Sequence, residues 1–242
     1  FLGQKVAALH LALAQTSGSA ELCPEPFSFF YQRSEYQSLR TLIKRSIHAL
    51  RKHYHSLPRE AIFLVDRLLE EENAYLNLAK RITQQRIEAQ KTRVHGNLKL
   101  TNILFTGSSF AILNFEGDPS RPMSQRRLKR SPVLDVAAVI GSCHFAAHKA
   151  LSQYSTMQYE DIQNLQPWLN VWHRTVSGAF LNAYLDSVKG CAFLPGKRSQ
   201  LRILLTHFLL EKGFHEIYHS LDSRQERIAP LINGLQNVQK WR

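Results

Sequence analysis

The stretch Val94–Phe115, VHGNLKLTNILFTGSSFAILNF, constrains the chain more than any other segment. It holds two short β-type runs, Asn102–Phe105 and Phe110–Phe115, separated by Thr106-Gly107-Ser108-Ser109, a hairpin signal. The sequence on either side has a helical texture. Phe1–Gln15 reads as a helix, and Thr16–Ser34, with Gly18, Pro24 and Pro26, as a loop with aromatic anchors. Tyr36–Leu57 places apolar residues at helical spacing and is limited by Pro58. Glu60–Thr92 reads as one long amphipathic helix, with Ile62, Val65, Leu68 and Leu69 on one face. Downstream, Pro132 opens a helix expected to run through Tyr154, with Asp135 in the first turn, where a carboxylate suits the helix dipole. Three more helices are expected over Asp161–Val188, Ser199–Ser220 and Gln225–Lys240. The expected fold class is mainly α, a helical bundle with a small β-hairpin.

With 242 residues and 44% hydrophobic content, the chain can build one large domain or two modest ones without covalent staples. Cys23, Cys143 and Cys191 are scattered and odd in number, so no disulfide framework or thiolate zinc site is indicated. A reducing, cytoplasmic setting fits that usage. The formal charge is +12, which could draw nucleic acid, anionic lipid or phosphorylated ligands. The basic residues are dispersed, however, and no RNA-binding signature accompanies them, so nucleic acid is not the expected partner. No apolar run reaches membrane-spanning length. Val6–Ala14 faintly resembles a signal-peptide core, but His10 interrupts it. The chain starts at Phe1, and this first helix is expected to lie just inside a boundary within a longer protein.

The segment around the hairpin has a chemical reading. Phosphoryl transfer to a hydroxyl needs a carboxylate to orient that hydroxyl and accept its proton. It also needs oxygen ligands for the magnesium that bridges the ATP phosphates. A loop of the form His-x-Asp-x-x-x-x-Asn supplies the base and one metal ligand, and an Asp on the strand end after the hairpin supplies another. His95, position 97 and Asn102 have that spacing, and position 114 is where the second Asp belongs. Both acidic positions are amides here, Asn97 and Asn114. An amide cannot take a proton at neutral pH and is a weaker, uncharged magnesium ligand. Losing a general base typically removes ~10²–10⁴ of rate.

HGNLKLTNIL followed by FAILNFEGDPSRPMSQRRLKRSPVLDVAAVI resembles the maltokinase family, ATP-dependent kinases often fused behind trehalose synthase. The family pattern is close to HGDxHLGQVL, then DFEGEPxRPxxERRxKxSPxxDVAG. The likeness reaches both ends. Phe1–Ala14 is similar to LLGxRTAELHLALA, and Leu209–Gly234 to LLEKALYELxYELxNRPxWxxIPLxG. The resemblance implies a kinase-like C-lobe of the aminoglycoside-phosphotransferase type over residues 1–242. Its parts are a helical entry segment (1–92), a catalytic-loop, hairpin and metal-loop region (93–132) and C-terminal helices (133–242). It implies formation of maltose 1-phosphate from maltose and ATP with Mg2+. It makes Asn97 the base position beside His95, and Asn102 and Asn114 metal positions with Glu116. Lys99, Asp118 and Arg121 fall on the substrate and phosphate side. An N-terminal kinase lobe and a trehalose synthase-type domain are the implied partners in the same longer protein. The departures are Asn97, Asn114, Lys99 for the usual His, Asn102 for the usual Gln, and Ser223-Arg224-Gln225 for the closing NRP. No GxGxxG and no VAIK-like lysine occurs, so the chain by itself is not expected to hold ATP in the usual way. The expectation is a degenerate maltokinase-like domain with a structural, regulatory or sugar-binding role. The alternative is an active sugar kinase, in which Glu116 or Asp118 takes over metal binding.

Other motifs compete. His215-Glu216-Ile217-Tyr218-His219 is a formal HExxH on a helix, the zinc-hydrolase pattern, but no His follows as third ligand. His144 and His148 stand one turn apart without further ligands and read as packing or surface histidines. Arg126-Arg127-Leu128-Lys129-Arg130 could face nucleic acid, although a structural or phosphate-facing role is preferred. Trp168 and Trp172, also one turn apart, suit burial in helix packing, with sugar stacking as the alternative.

Overall fold

The computed structural model describes residues 1–15, 22–153 and 159–240. Among these, the chain is mainly α, with two small antiparallel strand pairs, as the sequence leads one to expect. It divides into two compact units, each assembled from two separate stretches. No helix among the described residues is long and apolar enough to cross a membrane.

The first unit comprises Phe1–Pro26 and Ala89–Leu194. Helix α1 (Leu2–Leu13) packs on α7 (Tyr159–Ser187) through Val6, Ala7 and His10. The approach is close: a Cβ at Gly3 would collide with the Phe180 carbonyl and the Tyr184 amide. Strand β1 (Glu25–Pro26) pairs with β2 (Gln90–Lys91), an element the sequence did not announce. The expected hairpin forms as β3 (Ile103–Phe105) and β4 (Phe110–Ile112), in the register Ile103↔Ile112, Leu104↔Ala111, Phe105↔Phe110. Its turn closes with the Thr106 amide on the Ser109 carbonyl (2.9 Å), and Gly107 takes φ +89°.

A short helix, α5 (Met123–Arg126), interrupts the polar stretch that follows. Helix α6 (Val133–Gln153) starts after Pro132 as expected, while Tyr154, the expected last residue, lies outside the described residues. All eight residues of Val133–Ile140 are buried, so α6 begins as a helix covered on every side. Trp168 and Trp172 correct the sequence reading. They are 69% and 45% exposed, because α7 turns a different face inward, carrying His173, Ser177, Phe180 and Tyr184.

The second unit comprises Phe27–Glu88 and Pro195–Arg242. Helix α2 (Phe29–His53) begins seven residues before the expected Tyr36, because the Ser28 hydroxyl caps it by accepting from the Tyr31 amide (3.2 Å). Leu39, Ile43, Ile47 and Leu50 then bury along one stripe of α2, which packs on α8 (Arg198–Ser220). Each such side chain contributes roughly 1.5–3 kcal/mol of burial.

The single helix expected over Glu60–Thr92 is instead α3 (Arg59–Glu70), α4 (Glu72–Lys80) and a 3₁₀ turn Arg81–Thr83, followed by extended chain. The first break falls within three consecutive glutamates, Glu70–Glu72, and lets α3 pack on α9 (Ile228–Gln239) while α4 packs on α2 and α8. Gln32 fixes the second end. Its side-chain amide donates to the carbonyls of Ile82 (2.5 Å) and Gln85 (2.8 Å) and accepts from the Ile87 amide (3.1 Å). Those backbone groups are thereby satisfied outside a helix.

Candidate active site

The loop that enters the hairpin is held from below by one carboxylate. Asp135, in the first turn of α6 and fully buried, accepts the backbone N–H of His95 (2.8 Å, Oδ2) and of Gly96 (2.9 Å, Oδ1). Its Oδ2 also meets His10 Nε2 at 3.3 Å, and His10 Nδ1 is 2.9 Å from the Tyr184 hydroxyl. Burial alone would push the Asp135 carboxyl up. The hydrogen bond and charge of His10, then His95, outweigh it and hold the carboxyl below its ordinary range. A helix-dipole role was expected for Asp135; its larger role is to fix the two residues that begin the loop.

His95 carries the connection upward. Its Nδ1 accepts the Asn97 amide N–H (3.2 Å), which leaves Nε2 to donate to the Leu113 carbonyl (2.7 Å). One imidazole thus ties the loop to the strand end, and the Phe115 ring lies 5.0 Å from it. The Asn97 carbonyl accepts from the Lys99 amide (2.9 Å) and from Asn102 Nδ2 (2.8 Å), closing a tight turn. The Leu100 amide is capped by the Ser142 hydroxyl of α6 (3.1 Å). The side-chain Oδ1 of Asn97 is buried and has no hydrogen-bond partner among the described residues. As an amide oxygen it can accept a hydrogen bond but cannot take a proton.

Asn102 and Asn114, two of the three expected metal positions, come together. The Leu113 amide donates to the Asn102 carbonyl (2.9 Å), and Asn114 Nδ2 donates to Asn102 Oδ1 (2.9 Å). Asn114 takes φ +62°, a left-handed conformation that Asn tolerates better than most residues. The amide–amide bond changes the chemistry. A carboxylate at 114 would set two acceptors against each other and call for a cation between them. The amide supplies the donor itself, so the oxygen of Asn102 is satisfied from within the chain. This donor set therefore does not fit magnesium, which favours carboxylate oxygens.

The remaining expected residues lie along the next turn. Glu116 is exposed. Gly117 (φ +81°) passes so close to Gly96 that a Cβ on Gly96 would touch its Cα (3.7 Å), and Arg126 lies over Gly117. Asp118 is buried, and its Oδ1 accepts the Ser120 amide (3.1 Å) and hydroxyl (2.7 Å). The Arg121 amide closes the turn onto the Asp118 carbonyl (3.0 Å), and the Arg121 carbonyl accepts Arg126 Nε (2.7 Å). Lys99 is half-buried on the loop. His95, Asn97, Asn102 and Asn114 thus form one connected group, with Asp118 and Arg121 in a separate turn beside it.

The basic run is engaged within this unit. The Arg127 carbonyl accepts from Arg93 (3.2 Å), and the Arg130 backbone bridges to Thr92. Lys129 and Lys91 meet Glu25 at 2.8 and 2.9 Å. The hydrogen bond from Lys129, then that from Lys91, brings the Glu25 carboxyl down to about 2. Among the described residues, no third His, Cys, Asp or Glu joins His215 and His219 of the HExxH motif, on α8 in the second unit, as a zinc hydrolase needs. Glu216 pairs with Arg227 (3.1 Å), and the rings of His215 and His219 lie against each other at 4.5 Å. His144 is buried against His148 and His173, a packing role.

Sequence reasoning missed His10 and Tyr184 as supports of the loop. The available signal was a lone histidine inside the apolar run VAALHLALA, which needs a buried polar partner if its helix is covered.

No protein-family model matches the chain. Among solved structures, it is similar to glucosamine kinase in complex with glucosamine, ADP and inorganic phosphate, with a TM-score of 0.77 and 16% identity over 98% of this chain and 50% of that one. Two crystal forms of glucosamine kinase give a TM-score of 0.78 and 17% identity, with 98% of this chain covered and 49% or 52% of theirs. The chain spans about half the length of the solved structures it matches. The likeness is to glucosamine kinases, and the narrower maltokinase resemblance rests on the sequence motifs. The fold is a mainly helical, kinase-like one.

Proposed function

We propose that the chain is a maltokinase-like domain of degenerate type, the C-lobe part of a trehalose synthase/maltokinase-type protein. In this reading it serves carbohydrate metabolism as a sugar-binding, structural or regulatory module. It does not act as a phosphotransferase. The observation that carries the reading is the Asn114–Asn102 hydrogen bond, which satisfies the metal positions without a metal. The lone Oδ1 of Asn97 supports retained recognition of a sugar hydroxyl, since it is a buried acceptor in need of a donor.

The test is thermal unfolding of the chain with maltose, with glucosamine, and with ATP in the presence and absence of Mg2+. A sugar-dependent rise with no Mg2+-dependent ATP effect is expected. Phosphorylation of maltose by this chain or the longer protein, abolished in Asn97→Ala, would overturn the reading.

A second reading, an active ATP- and Mg2+-dependent sugar kinase, draws on the exposed Glu116 carboxylate two residues from Asn114. Asp118 is the weaker substitute ligand, because Ser120 already engages its Oδ1. Magnesium-dependent ATP binding lost in Glu116→Gln would favour this reading.

A further inference from the structure

The second unit contains a cluster of a different kind. His207 and Glu211 stand one turn apart on α8, and α2 brings Glu35 to them. All three are buried, at 2%, 6% and 8% exposure. One ligand atom from each lies within 4.8 Å of the others, and His207 Nε2 is 3.5 Å from Glu35 Oε2. Neither ring nitrogen of His207 has a hydrogen-bond partner among the described residues. A buried imidazole normally satisfies both nitrogens, one as donor and one as acceptor. Here the ring sits beside two carboxylates without a hydrogen bond to either, an arrangement that a shared cation explains.

We propose that Glu35, His207 and Glu211 form a binding site for one divalent transition-metal ion, with zinc the best match. The ligand set, one imidazole nitrogen and two carboxylate oxygens, is of the type that binds zinc. Ligands at about 2.1 Å from a tetrahedral ion stand roughly 3.4 Å apart. The His207–Glu35 separation is already close to that value, and the Glu211 ligand atom lies within 4.8 Å of both. Magnesium fits less well, because it keeps an all-oxygen octahedral shell. The ion would join α2 to α8, since Glu35 lies on the first and His207 and Glu211 on the second. This site shares no residue with the Asn97–Asn114 group, and its test is independent of any kinase reading.

The chain is stripped with a chelator, reloaded with zinc, passed through a desalting column and assayed for metal. One zinc per chain and a raised unfolding temperature are expected, and cobalt in its place should give the intense visible absorption of a low-symmetry four-coordinate ion. Glu35→Gln and Glu211→Gln keep side-chain shape and should abolish retention; their metal-free unfolding curves report whether they fold. Should either variant fail to fold, the ¹⁵N shifts of the His207 ring in the wild-type chain decide, since they move on zinc addition only if the ring ligates. The proposal is overturned if the wild-type chain retains no zinc, as in a metal-free ion-pair network. Retention that survives in both folded glutamine variants, or that is lost in His215→Gln and His219→Gln instead, also overturns it.

Discussion

Two kinds of acid position serve the same loop, and the chain treats them in opposite ways. Beneath the loop, Asp135 keeps its charge, buried and bonded to two backbone N–H groups and to His10. Above it, at positions where the maltokinase resemblance would call for acids, Asn97 and Asn114 are neutral. The acid that maintains the shape of the loop is present, and those that would do chemistry are not. A site under no demand for shape would have no need of the costly lower charge. The difference separates recognition, which needs a formed loop, from catalysis, which needs a base and a metal.

The largest effect expected from breaking this pairing is at Asp135. Asp135→Asn leaves His10 and one loop N–H poorly matched and should cost about 3–5 kcal/mol of stability, read by denaturant unfolding. The pH dependence follows from the lowered carboxyl. The stabilisation is complete above the ordinary carboxyl value of 3.8 and is lost as pH falls through the lower folded value. His10→Ala and Asp135→Asn combined should fall well short of additive, because they remove one network.

Asn114→Asp should sharpen the contrast from the other side. It removes the donor to Asn102 Oδ1 and sets two acceptors face to face. A loss of about 1–3 kcal/mol is expected in metal-free buffer, with recovery on adding Mg2+. A variant as stable as the wild-type chain, and indifferent to Mg2+, would show that the amide bond carries no weight.

Tyr75, in the second unit, provides a case of a buried polar group without a role in the loop. Its hydroxyl is fully buried and has no hydrogen-bond partner among the described residues, and burial, then the Glu71 charge, pushes its pKa far up, with Arg67 opposing. Tyr75→Phe keeps the ring against Phe214 and should raise stability by about 1 kcal/mol. Glu25 marks the small end. Its carboxylate is about half exposed, so solvent screening leaves its pairing with Lys91 and Lys129 at ~0–1 kcal/mol. Glu25→Gln should therefore shift the unfolding midpoint slightly at neutral pH. The difference should vanish as pH falls from 4.5 toward about 2, where the wild-type carboxylate protonates.

Much of this is legible in the amino-acid sequence. The hairpin is, because Gly107 and the flanking apolar runs are local signals. The grouping of His95, Asn102 and Asn114 followed from spacing once the hairpin folded back. The break of Glu60–Thr92 into α3, α4 and extended chain was not legible, because its cause is distant in sequence: Gln32 captures the carbonyls of Ile82 and Gln85. The strand pair β1–β2 escaped notice for the same reason, since residues Glu25 and Lys91 meet only in the folded unit. Trp168 and Trp172 misled because periodicity shows that two residues share a face, but not whether that face is covered. Asp135 was visible as a helix-opening acid, yet its partners, the amides of His95 and Gly96, come from a loop whose path no local pattern fixes.

In the proposed reading, the Asn102–Asn114 amide bond takes the place of a metal. Side-chain amide NMR of these two residues during titration with MgCl2, then with ATP and Mg2+, tests it directly. Both amide signals are expected to keep their shifts throughout, while Asn114→Asp shows a Mg2+-dependent shift at Asn102. A saturable, Mg2+-dependent movement of the Asn102 and Asn114 amides in the wild-type chain would contradict it.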